Sequence, residues 1–239
     1  MKVSVITTLY NYRKYIPDCI MSFLRQDMTD SEMIIVDDCS NDKPLDVISK
    51  FLSGRVKYIK LDKNSGYSYA KNIGIKNSSS DILVMLDADD MLTESSLTMR
   101  FDKIQQGYDF VHGPVLDIKG EKRYISKLWK KWLNSSKSPD CYKLIHAQSV
   151  MLKKQIHKDI GLYDESLKCK SDREMWARIM YHGYKIGWVE DSVAFYRIHD
   201  KQMHKSKWKA DNNDRLQRDV LGRISRRRKD LSDCIMLGD

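Results

Sequence analysis

The chain has 239 residues, 41% hydrophobic and 31% charged, with a formal net charge of +9. That balance is ordinary for a soluble globular protein of one large domain or two small ones. No run approaches the roughly 18 apolar residues of a membrane span, and Met1-Lys2 leads into a strand without a signal peptide's apolar core, so the expected location is cytoplasmic. Five scattered cysteines (Cys19, Cys39, Cys141, Cys169 and Cys234) form no CxxC pair and indicate neither a zinc site nor a disulfide framework.

Val3–Thr8, β-branched at nearly every position, reads as a buried first strand that breaks at Leu9-Tyr10-Asn11-Tyr12. Tyr15, Ile16, Cys19, Ile20, Phe23 and Leu24 recur at helical spacing, which predicts an amphipathic helix over about 14–26. Glu32–Asp38 is a second apolar run ending in carboxylates, and Pro44 opens a helix with Leu45, Val47, Ile48, Phe51 and Leu52 on its apolar face. Val56–Leu61 alternates as a third strand, and Asn64-Ser65-Gly66 turns into a helix containing Tyr69, Ala70, Ile73 and Gly74.

The next run, Ile82–Asp90, is the most informative. Five apolar residues lead into Asp87, Asp89 and Asp90, as in a strand buried on both faces whose carboxyl end reaches the ligand-binding edge of an α/β sheet. Crowded carboxylates repel one another, and a bound divalent cation relieves them. The alternative is a solvated acidic turn. An EF-hand loop fits worse, because Met91 and Leu92 stand where a third oxygen ligand and the Gly belong. Thr93 is placed to cap the helix that follows.

The order β-α-β-α-β-α-β with short connections predicts a mostly parallel sheet with helices on both faces. Neither GxGxxG nor GxxxxGK[ST] occurs, so neither phosphate cradle is present. Asp109–Ile118 reads as a strand interrupted at Gly113-Pro114, followed by the basic, aromatic stretch Lys127–Leu133. Gly161–Glu165 is a turn, Arg173–Met180 a helix, and Tyr184–Val189 and Val193–His199 are extended. The last forty residues are polar and expected to be helical, ending in Arg226-Arg227-Arg228-Lys229.

Charge divides unevenly along this order. Residues 1–118 carry 14 basic and 17 acidic side chains, residues 119–158 carry 11 and 2, and residues 201–239 carry 11 and 6. Two basic segments set into a mildly acidic scaffold point to an anionic partner. These counts set off residues 1–118, residues 119–200 and a basic tail, 201–239.

Several of these runs, in this order, resemble the inverting GT-A glycosyltransferases of family 2. Val3–Asn11 is similar to the family's opening strand, Ile34–Asp42 to its VDDGSxD element, and Asn64-Ser65-Gly66 through Gly74 to its NxG…ARNxG helix. Asp87-Ala88-Asp89 stands where the family has DxD, Gly161–Glu165 looks like GxFDE, Ser171-Asp172 stands at the ED pair before Trp176-Ala177-Arg178, and Tyr196–His199 matches YRxH. The resemblance covers about the first 200 residues and implies a GT-A, Rossmann-like sheet in one domain, with a nucleotide-sugar-binding half (1–118), a variable acceptor-binding and catalytic-base half (119–200) and a basic tail (201–239).

It also implies roles. Asp38 would accept from the imide of a uracil-type base walled by Thr8 and Tyr10, with Gly66, Lys71, Asp87 and Ala88 lining the donor and Lys71 assisting at the diphosphate. Asp89, with His199 and Asp87, would hold Mn²⁺ or Mg²⁺. Asp172 would be the general base. Ser171 departs from the family's Glu, and Arg173 beside Asp172 would weaken it as a base, which keeps Glu174 as a second candidate. Asp37 is read as a strand-end hydrogen-bonding residue.

Lys127, Trp129, Lys130 and Trp132 are the expected acceptor residues. The acceptor itself is expected to be a bacterial-type glycan or lipid-linked precursor, reached from the cytoplasm or peripherally at the membrane face. A hydroxymethylated DNA base is the alternative. A nucleotidyltransferase and an inactive sugar-nucleotide-binding module are rivals from other classes.

Overall fold

A computed structural model describes residues 2–135, 141–167, 170–200 and 202. The rest of the basic tail lies outside the described residues. Strands β1 (Val3–Leu9), β2 (Ser31–Asp37), β3 (Val56–Lys60) and β4 (Ile82–Asp87) are parallel, with β1 central between β2 and β4. Thr8 is level with Val36 on one side and Asp87 on the other, so the acidic ends of β2 and β4 flank the end of β1 at one sheet edge.

Beyond β4 the sheet continues through β9 (Met151–Lys153), antiparallel to both neighbours, then β6 (Phe110–His112) and the edge strand β10 (Ile186–Trp188). The sheet is thus mostly parallel, as expected, with one reversed strand that the sequence reading did not identify.

Both faces of the sheet are buried at β1, β2 and β4, which explains why these strands read as unbroken apolar runs, whereas the edge strand β3 is partly exposed and alternates. Val3, Val5 and Leu9 of β1, Met33 and Ile35 of β2, and Val84 and Leu86 of β4 pack on one face with α1 (Ile16–Leu24). Ile6, Ile34, Val36, Leu83 and Met85 face the other way, against α3 (Tyr67–Asn77) and α7 (Ser171–Tyr181). Gly74 lets α3 lie close to β1, since a Cβ there would run into Ile6 Cγ2. Helix α2 (Leu45–Ile48) is shorter than its apolar spacing predicts and ends in a 3₁₀ turn, Ser49–Phe51.

A second, four-stranded sheet has the order β5 (Met91–Leu92), β11 (Ala194–Arg197), β7 (Val115–Lys119) and β8 (Lys122–Ile125). The strand expected over 109–118 is divided between the two sheets at Gly113-Pro114, where a Cβ on Gly113 would lie 2.7 Å from Val189 Cγ2. The boundary drawn at residue 118 falls inside β7, and β5 from the first part pairs with β11 from the second. The two functional parts are therefore interlocked in one fold.

Helices α4 (Ser96–Gln105), α5 (Lys127–Ser135) and α6 (Gln155–Ile160) complete the described elements. Thr93 does not cap α4: its hydroxyl donates to the Ser192 carbonyl at 2.5 Å and ties α4's approach to the strand β11 instead. Among the described residues no helix is long and apolar enough to cross a membrane.

One buried acid fastens the edge opposite the acidic strand ends. Glu32 accepts from Ser4 Oγ at 2.6 Å, from the Ser79 amide and hydroxyl at 2.7 Å each, and from Lys57 Nζ at 2.7 Å. Burial opposes its ionisation, but these donors outweigh burial and hold the carboxyl down at about 2, against an ordinary 4.5. Its contribution is present above pH 4.5 and is lost as pH falls through 2. Glu32→Gln is expected to destabilise the fold by about 1–3 kcal/mol at pH 7. In urea titrations repeated at falling pH, the gap from the parent chain should close below pH 4.5.

Candidate active site

The loops after β1 and β2 are stitched together at the sheet edge. The Asn11 amide donates to Ser40 Oγ at 2.9 Å, the Asn41 amide to Asn11 Oδ1 at 2.8 Å, and the Arg13 amide to Asp42 Oδ2 at 2.9 Å. They wall a cleft of about 380 Å³ lined by Asn11, Lys14, Tyr15, Asp42, His199 and Asp200. Tyr10 stands beside this loop with its side chain 42% exposed, while Thr8 is buried.

Asp37 is fully buried and accepts from Tyr58 Oη at 2.5 Å and the Ser40 amide at 2.9 Å, a strand-end hydrogen-bonding residue as expected. Asp38 accepts the amides of Ser65 at 2.7 Å and Gly66 at 2.8 Å, so it satisfies donors at the start of α3. Gly66 adopts φ 94°, a conformation in which a side chain is strained.

At the end of β4 the carboxylates diverge. Asp89 lies 2.9 Å from His199 Nε2, with both side chains about nine-tenths buried. Asp87 turns the other way and accepts from Tyr67 Oη at 2.8 Å. Burial, with repulsion from Asp89 and Asp172, raises its carboxyl to about 6 despite the pull of Lys71. Asp90 is buried and its acidity is suppressed by burial and by both neighbouring aspartates. Its Oδ1 accepts the Arg197 amide at 2.9 Å, while Oδ2 has no partner. Ala88, by contrast, is packed in the core, so its side chain does not face a donor.

Arg197 is a residue that sequence reasoning passed over within the Tyr196–His199 motif. Its Nε donates to the Asp89 carbonyl at 3.0 Å and its Nη2 pairs with Asp18 at 2.9 Å, which clips β11 to the acidic loop and delivers His199 to Asp89. The edges of Tyr12 and the face of Tyr15 enclose the imidazole, at 5.6 and 4.5 Å between ring centroids.

The third part of the site comes from α3 and α7. Asp172 sits in the first turn of α7, where the helix dipole favours a carboxylate. Lys71 Nζ reaches its Oδ1 at 2.5 Å, and Tyr67 Oη stands 3.4 Å from its Oδ2. The cation beside Asp172 is thus Lys71 from α3. Asn72, next on the helix, binds the Gly161–Glu165 turn through the Tyr163 carbonyl at 2.9 Å and Glu165 Oε1 at 2.8 Å.

Glu174 is committed elsewhere. It forms a two-point pair with Arg178 at 2.7 and 2.8 Å, and Arg178 in turn donates to the Ile160 and Leu162 carbonyls. That makes Glu174 part of a structural clamp and leaves Asp172 the more exposed of the two carboxylates, 20% against 9% on the side chain.

Comparisons with known proteins bear on the family and the fold. Residues 4–156 match the model of glycosyl transferase family 2. The chain belongs to that family. TuaG of Bacillus subtilis, a glycosyltransferase named for teichuronic acid biosynthesis, is 27% identical over 225 residues, covering 87% of this chain and 83% of TuaG. The poly(ribitol-phosphate) β-N-acetylglucosaminyltransferase TarS of Staphylococcus aureus is 34% identical over 101 residues, 41% of this chain and 18% of TarS. A crystal structure of S. aureus TarS residues 1–349 with UDP-GlcNAc superimposes with a TM-score of 0.73 at 20% identity, covering 97% of this chain and 73% of that one.

In this family 2 glycosyltransferase the expected acceptor platform is partly overturned. Trp129 and Trp132 are 7% and 5% exposed, stacked on each other at 4.9 Å, and packed edge-on against His112 and Trp188. They form the buried seam of α5, because the 129/132 spacing puts both on one helix face. Lys127 and Lys130 lie on the exposed face and keep the basic surface. Tyr67 is a further site residue the sequence reading missed, although its spacing of four from Lys71 places both on one face of α3.

The two kinds of α5 residue separate in a stability experiment. Trp132→Ala should cost about 3–5 kcal/mol, as for a large core side chain. Lys130→Ala should leave the unfolding midpoint nearly unchanged. Equal midpoints for Trp132→Ala and the parent chain would contradict the core placement.

Proposed function

We propose that this glycosyltransferase moves a sugar from a UDP-sugar to a hydroxyl of an anionic bacterial surface glycan or its lipid-linked precursor, with inversion and with the help of Mn²⁺ or Mg²⁺. The observation that carries this reading is the junction at the end of β4. Asp87 and Asp89, two residues apart, face different partners there: Asp87 accepts from Tyr67, whose hydroxyl stands 3.4 Å from Asp172, and Asp89 is paired with His199.

On this reading the nucleotide occupies the edge between the β1 and β2 loops, near Tyr10 and Asp38. Asp38 already accepts two amides, so a base imide would use one of its remaining lone pairs. Asp89 and His199 offer one carboxylate oxygen and one imidazole nitrogen close together. Among the described residues no group of three His, Cys, Asp or Glu side chains stands ready to hold a metal. That donor set still fits Mn²⁺ or Mg²⁺, which take one or two protein ligands and complete their shell with water and substrate phosphate. Such an ion would neutralise the diphosphate leaving group. Asp87, two residues before Asp89 at the end of β4, would take a ribose hydroxyl or supply a further ligand to the ion.

Asp172 takes the proton of the acceptor hydroxyl as that oxygen attacks the anomeric carbon. One base and one displacement give inversion. The anionic acceptor is supported by the basic composition of residues 119–158, by exposed Lys127 and Lys130, and by relatives whose names refer to teichuronic acid and poly(ribitol-phosphate). Those names favour a wall glycan over a DNA base.

A panel of sugar nucleotides with Mn²⁺, then with chelator, tests the donor and metal together. Free nucleoside diphosphate should appear with UDP-sugars and stop on chelation, and Asp89→Ala should lower its release by at least about 100-fold. Full activity in Asp89→Ala would remove the metal role. Pyrophosphate released from a nucleoside triphosphate and sugar phosphate would instead indicate nucleotidyl transfer.

The acceptor is tested through Lys127→Glu combined with Lys130→Glu. Transfer to a phosphate-bearing polymer should fall while donor hydrolysis persists. Transfer to hydroxymethylated DNA that weakens steeply with salt would point to the nucleic-acid reading instead.

A further inference from the structure

The resemblance assigns Lys71 to the donor diphosphate, but its surroundings fit a different task. Its side chain is 1% exposed, although it comes from a helix that borders the site. The ammonium lies 4.1 Å from the ring centroid of Tyr67 and 5.0 Å from that of Tyr163, with Asp172 Oδ1 at 2.5 Å. Asp172 itself is 20% exposed on the side chain, so the pair is sealed on the lysine side and open on the carboxylate side.

A buried ammonium between two aromatic faces is stabilised where it is. Moving it out to a diphosphate would leave Asp172 without its cation and would break both ring contacts.

We propose that Lys71 is a positioning residue for the general base: it holds Oδ1 of Asp172 and leaves Oδ2 as the atom that takes the acceptor's proton. The proposal rests on the reading of Asp172 as the base. The acceptor O–H bond breaks with its proton passing to Oδ2, and the acceptor oxygen forms its bond to the anomeric carbon. The bond from that carbon to the diphosphate oxygen breaks, its electron pair leaving with the nucleoside diphosphate.

Tyr67 completes the arrangement from the same helix face. Its single hydroxyl proton is given to Asp87 at 2.8 Å, and the distance to Asp172 Oδ2 is 3.4 Å, so Oδ2 keeps its lone pairs for the acceptor. Residues four apart on α3 thus serve the donor carboxylate and the base carboxylate together.

The two assignments of Lys71 predict opposite kinetic patterns. If it positions the base, Lys71→Met lowers kcat by about 100-fold or more. UDP affinity, measured by calorimetry, then changes by no more than about threefold. Lys71→Arg, which can still pair with Oδ1, should recover part of kcat, and unaltered UDP binding shows in the same measurement that the variants are folded. Weakening of UDP binding by about tenfold or more with kcat retained overturns the proposal and returns Lys71 to the diphosphate. Unchanged kcat in Lys71→Met overturns it as well. A parent chain that binds UDP yet transfers no sugar overturns the base reading beneath it.

Discussion

A carboxylate from β2 holds the start of α3, and the site is built outward from that contact. Asp38 accepts the amides of Ser65 and Gly66, two donors that the helix cannot satisfy itself. The Asp38 contacts at its N-terminus and the close approach to β1 at Gly74 together hold α3 at its angle to the sheet. That angle points Tyr67 at Asp87, Lys71 at Asp172 and Asn72 at the Tyr163 turn. Asp87, Asp172 and the Tyr163 turn are then spaced by the rise of a single helix.

The other constraint is the cost of crowding acids at the end of β4. Asp87, Asp89 and Asp90 are crowded into four positions, and burial with the neighbouring carboxylates raises the cost of ionising Asp87 and Asp90. The protein offsets this with hydrogen bonds and cations from different elements. Tyr67 serves Asp87, His199 stands against Asp89, and the Arg197 amide serves Asp90. Two of these three come from β11 and the segment that follows it, and the β5–β11 pair brings that segment beside the end of β4. An edge held this way is suited to a ligand that brings compensating positive charge with it.

Much of this was legible in the sequence where one physical rule dominated. Strands β1, β2 and β4 announced themselves because burial on both faces removes any need for polar alternation, the partly exposed edge strand β3 showed itself by its alternation, and the carboxylates at the ends of β2 and β4 followed directly. The antiparallel β9 and the edge strand β8 were not identified. Met151-Leu152-Lys153 is too short to show a period, and Lys122–Ile125 is exposed throughout. Trp129 and Trp132 were read by composition, as aromatics among lysines, when their helical spacing already placed them on one buried face. Lys71 and Glu174 show the same limit at the site. A motif gives the residue type at a position, but which oppositely charged group it meets depends on how α3 and α7 face each other across the sheet edge.

Asp172, the open carboxylate at the meeting point of α3, α7 and β4, makes a single displacement the central expectation for this glycosyltransferase. The anomeric configuration of the product tests it most directly. Proton NMR of sugar transferred from an α-linked UDP-sugar should show the β anomer as the first product formed. An α-linked first product would require two displacements or front-side transfer, and would contradict the assignment of Asp172 as the sole base.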